Sequence, residues 1–111
     1  MLIYKEALLN HTGIKELYLP FETVEEAKNN ILRIGLQYGF PYMWFDALDK
    51  PKKEYLLVCI GTGHEHPEFN VDDYIGSEIV DGGDYVWHYL LVDREGMKKR
   101  FSESNKKINP K

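Results

Sequence analysis

Residues 60–67, Ile-Gly-Thr-Gly-His-Glu-His-Pro, hold the densest set of groups able to do chemistry. Gly61 and Gly63 let backbone N–H groups approach a ligand closely, and such a turn can cradle a phosphate. The Lys-Ser/Thr of a P-loop is missing, and one Gly-x-Gly with no clear helix after it is not a dinucleotide fingerprint. The plainer reading is a strand-end turn whose glycines take backbone angles that other residues resist. His64 and His66, with Glu65, Glu68, Asp72, Asp73 and His88, are metal-ligating types, and His-x-His on a strand puts both rings on one face. There is no His-Glu-x-x-His and no cysteine pair, and Pro67 makes the stretch a loop. No metal and no cofactor is therefore expected.

His88 shares a strand face with Val86, Leu90 and Val92. A histidine there is a hydrogen-bonded core residue, or else a neutral ring that reads a ligand with its tautomer fixed by a partner. Nucleophiles are scarce: Ser77, Thr62 and Cys59 stand next to no base pattern, and Cys59 reads as a small core residue in mid-strand. A phosphodiesterase of the His-x-Ser/Thr type lacks its paired motif. The chain is expected not to be an enzyme.

Aromatic residues make up 14% of the 111 residues, with eight Tyr and two Trp. Tyr38, Phe40, Tyr42, Trp44 and Phe45 crowd one segment, and Tyr74, Tyr85, Trp87 and Tyr89 another. Such rings can sandwich a purine while basic side chains hold its phosphates, although most of them belong in a core or an oligomer interface. The formal charge of -4 is unevenly spread: residues 1–97 carry 8 basic and 17 acidic side chains, residues 98–111 carry 6 basic and one acidic. An acidic body repels a phosphate backbone, so long nucleic acid is not an expected partner. A small anion near Lys98, Lys99 and Arg100 is compatible with that charge.

The elements that must position these groups are mostly strands. Alternation and turn residues mark strands at 2–9, 14–19, 31–37, 41–46, 54–60, 74–80 and 85–92, the first two closing a hairpin. Thr23 and Glu26 fit a capping box ahead of a short helix to about residue 30. Residues 54–60 and 85–92 are apolar on both faces, as central strands are. Asp81-Gly82-Gly83-Asp84 marks a tight turn, and residues 93–101 form a short helix or an arm. The class is α+β, mainly β, with an antiparallel sheet of about six or seven strands and one or two short helices. One β-rich domain covers 1–97, followed by a basic tail, 98–111. No apolar run approaches the ~20 residues that span a bilayer, no secretory leader opens the chain, and the single cysteine suits a reducing cytosol.

Gly61-Thr62-Gly63-His64, Tyr74-Ile75-Gly76-Ser77, Gly82-Gly83 and Val86-Trp87-His88, in this order, resemble a family of small phage and prophage proteins. Leu19-Pro20 and the segment 37–44 fit as well, while the Thr23 to Asn30 segment and the basic tail depart from the pattern. More loosely the layout resembles the Thoeris anti-defence sponges of phages. That resemblance implies a small homo-oligomer, dimer or hexamer, in the cytoplasm of an infected bacterial host. It would bind a cyclic ADP-ribose isomer or cyclic oligonucleotide and release it intact. It also implies stacking by Tyr74, diphosphate contacts by Lys99 or Arg100, and a polar contact by Asp84; from the strand-end turn itself, Gly61 and Gly63 are expected to lend backbone donors, and His64 is expected in the same ligand site. A protein–protein interaction module and a histidine-based phosphodiesterase or metal enzyme are the alternatives.

Overall fold

The computed structural model describes residues 1–63 and 65–99. Among these residues seven strands form, and they divide between two antiparallel sheets. The smaller sheet has the order β1-β4-β3, built from β1 (Ile3–Ala7), β3 (Ile31–Gln37) and β4 (Phe40–Asp46). The larger has the order β2-β5-β7-β6, built from β2 (Gly13–Leu19), β5 (Lys53–Gly61), β6 (Tyr74–Val80) and β7 (Tyr85–Asp93). The doubly apolar segments are indeed the two central strands, β5 and β7, whose two faces are both covered by side chains.

The expected hairpin of the first two strands does not form. β1 pairs with β4, whereas β2 pairs with β5 in the other sheet. The chain between them crosses from sheet to sheet because buried Leu8 carries the β4 pairing one step further, its N–H donating to the Pro41 carbonyl at 2.9 Å. Leu9 then offers its carbonyl to the Tyr89 hydroxyl at 2.7 Å, which ties the crossing to the larger sheet.

The inner faces of the two sheets enclose the main core. Met43 and Phe45 face Leu17, Tyr55, Leu57, Cys59, Tyr89 and Leu91, and all are at most 5% exposed. Burial at this scale, roughly 2 kcal/mol for each large apolar side chain, is the main force holding the sheets together. Helix α1 (Val24–Asn30) closes one end by burying Ala27. Thr23 caps it through a 3.0 Å bond from the Glu26 N–H to Thr23 Oγ1. The Glu26 carboxylate reaches one residue beyond an ordinary capping box, to the Glu22 N–H at 3.1 Å.

A second, smaller apolar cluster lies on the outer face of the larger sheet. Met97, from a helical segment at residues 94–99, packs with Val58, Leu90 and Val92, joined by Ile60 and Phe69. Arg94 pins the start of that segment, reaching Glu16 at 2.8 Å and Glu54 at 3.2 Å. Asp93 caps it through the Gly96 N–H. The junction at residues 97–98, where the charge balance changes sign, falls inside this helical segment. Among the described residues, no helix is long and apolar enough to cross a membrane.

Candidate functional site at the end of strand β5

The outer face of the larger sheet gathers polar groups at one place. His88 stands in β7 opposite Ile60 of β5 and Ser77 of β6. Its Nε2 lies 2.8 Å from the Thr62 hydroxyl, and its Nδ1 lies 2.9 Å from the Tyr74 hydroxyl. Thr62 owes its position to the turn just past the end of β5, where Gly63 has φ +91° with open space around its Cβ position. Tyr74 owes its position to the capping box just before it. Asn70 Oδ1 accepts from the Asp72 N–H at 2.9 Å, and Asp73 Oδ2 accepts from the Asn70 N–H at 3.1 Å. That single 3-10 turn, Val71–Asp73, delivers the chain into β6.

Two hydroxyls, each able to donate and accept, satisfy the imidazole in either tautomer. A carboxylate at Nδ1 would hold the ring in the one tautomer that a general base needs. Here nothing does. Beside the triad of side chains opens a pocket of about 310 Å³ lined by Ile60, His66, Phe69, Asn70, Tyr74 and Leu90. Ile60, Phe69 and Leu90 of its lining also belong to the apolar cluster that holds Met97, and Lys98 and Lys99, both exposed, follow Met97 in the helical segment. On the rim, His66 lies 3.8 Å from Glu68 and its ring 6.1 Å from that of Phe69. Among the described residues, no group of three His, Cys, Asp or Glu side chains converges as a metal site.

The sequence-derived candidates divide accordingly. Tyr74 meets His88, while Gly61 and Gly63 flank Thr62, the other partner of that ring. Asp84 does not join them. It sits in the turn at the opposite end of β6, about 20 Å along the strand from Tyr74. Lys99 is exposed at the end of the helical segment. His64 and Arg100 lie outside the described residues. Thr62 as a partner of His88 was not legible in the chain, because 26 residues separate them and only the β5–β7 register brings them together.

A larger cleft of about 770 Å³ opens where edge strands β1 and β2 part, lined among others by Tyr4, Tyr18, Leu48, Lys50 and Lys52. Its ammonium groups are partly committed: Lys50 reaches Glu26 at 2.6 Å and Glu22 at 3.5 Å. Those contacts hold the Glu26 carboxyl below its ordinary pKa and raise that of Lys50, in each case chiefly through their shared hydrogen bond.

No curated protein and no solved structure matches the chain. A family model does match, over residues 19–99. That span takes in Thr62, Tyr74 and His88 and leaves out β1 and nearly all of β2. The match covers most of the chain, and the protein belongs to the family described as a domain of unknown function, DUF7352.

Proposed function

We propose that the protein is a binding module that holds a small nucleotide-type ligand without cleaving it, at the site around His88. The observation that carries this reading is the Thr62–His88–Tyr74 chain of hydrogen bonds, whose Tyr74 also lines a mostly apolar pocket. Ligand sites commonly combine an apolar cavity with a few convergent polar groups. A purine edge offers donors and acceptors to a histidine and two hydroxyls that can each do both. The Tyr74 ring is about one-third exposed and offers a stacking surface. The turn at Gly63 offers open space at its Cβ position, and exposed Lys98 and Lys99 are the cations proposed for the phosphates.

Among the described residues His88 is held by two hydroxyls, an arrangement that supports a binding role for the ring. The resemblance to Thoeris sponges names the ligand class, a cyclic ADP-ribose isomer or cyclic oligonucleotide, and with it a phage protein acting as a homo-oligomer in the host cytoplasm. Calorimetry with those compounds tests the proposal. Heat of binding, weakened by Tyr74→Ala and His88→Ala, with the compound recovered intact after denaturing the protein, is the expected result. No heat with any of them in folded protein overturns it, and conversion of the nucleotide moves the reading to a phosphodiesterase.

A further inference from the structure

The outer face of the smaller sheet is a second, unrelated surface. Strand β4 alternates strictly: Pro41, Met43 and Phe45 point into the core, so Phe40, Tyr42 and Trp44 point out. The three rings follow one another along the strand with centroids 5.8 Å and 6.0 Å apart. Their neighbours across the sheet are Gln37, Gly35 and Arg33 on β3, and Ala7 and Lys5 on β1. Lys5 places its ammonium 4.7 Å from the centre of the Tyr42 ring and donates to Gln37 Oε1 at 2.6 Å. Arg33 lies flat over Gly35: a Cβ at residue 35 would fall 2.7 Å from Arg33 Nε.

Neither cation has a carboxylate partner among the described residues. Among the described residues of these three strands, Asp46 is the one acid that shares the rings' side of β4, at the end of the strand, in a body with twice as many acids as bases. A groove of about 440 Å³ runs along its edge between Ile3, Leu32, Arg33 and Trp44.

We infer that this face docks a short single-stranded nucleic acid, its bases stacked on Trp44, Tyr42 and Phe40 and its phosphates on Arg33 and Lys5. Rings in a row beside unpaired cations are the chemistry by which single strands are held without sequence preference. The acidic remainder of the body confines contact to this face, so the footprint is a few nucleotides and the salt dependence is shallow. Two neutralised phosphates correspond to a slope of roughly -1.4 in log K against log salt.

Fluorescence anisotropy of a short labelled oligothymidylate with the full chain at low salt tests this. Binding is expected, and Trp44→Leu and Arg33→Gln should each weaken it on the order of tenfold. Gly35→Ala removes no ring and no charge but displaces the Arg33 guanidinium, and should weaken binding with thermal unfolding unchanged. No anisotropy change with folded protein overturns the inference. So does equal affinity in the Trp44→Leu variant, or equal competition by polyglutamate, either of which would reduce the effect to plain charge. Tyr74→Ala should leave oligothymidylate binding intact, which separates this surface from the site around His88.

Discussion

Gly76 of β6, in the larger sheet, packs directly against Ile34 of β3, in the smaller one. A Cβ at residue 76 would fall 2.6 Å from Ile34 Cδ1. Gly76 follows a bulge that turns Ile75 into the main core, and its φ is +153°. Two costs therefore meet in Gly76→Ala, a steric one against a movable methyl and a backbone one. The expected loss is about 1–3 kcal/mol in urea unfolding. Ile34→Val removes the clashing methyl. In that background the cost of Gly76→Ala should shrink without vanishing, because the backbone angle is unchanged. Full additivity in the double-mutant cycle would contradict the contact.

Buried Tyr55 donates its hydroxyl to the Phe21 carbonyl at 2.6 Å. Burial, reinforced by the charges of Asp93, Glu26 and Glu22, pushes its pKa up to about 12. The folded state thus keeps a proton that the unfolded chain releases near pH 10, and stability must fall as pH rises from about 10 toward 12. Urea midpoints measured from pH 8 to above 10 should show that decline, and Tyr55→Phe should flatten it. The same variant leaves the Phe21 carbonyl without its donor and should cost about 1–2 kcal/mol at neutral pH.

Cys59 is fully buried in β5, and its thiol is pushed up to about 11 by burial, partly offset by a backbone hydrogen bond. Thiolate is the reactive form, so native protein should resist a disulfide reagent such as dithionitrobenzoate at neutral pH. Reaction should appear with the unfolding transition in urea. Fast labelling of native protein would show that the larger sheet opens locally.

The hydroxyls on either side of His88 should be separable by NMR. Tyr74→Phe removes the partner of Nδ1, and Thr62→Val removes the partner of Nε2. The two variants should shift the ring nitrogen resonances in opposite senses, each losing about 1 kcal/mol of stability. Identical spectra would mean that the ring is held by its packing instead.

Much of the strand layout follows from local pattern. Alternation, doubly apolar runs, the Thr23 cap and the Asp81–Gly83 turn act over a few residues, so they mark seven strands and α1 to within one or two residues of the bounds that form. Local pattern does not say which strands pair. β1 and β2 look like a hairpin, yet each finds a partner far along the chain, because burying both of their inner faces requires two sheets. The functional surfaces depend on the same non-local choice. Thr62 meets His88, and Arg33 lies beside Trp44, only through strand register, where a shift of one residue would turn every side chain to the opposite face. Composition likewise sets the net charge, while the fold decides that Lys5 and Arg33 stand together among the rings on an otherwise acidic body.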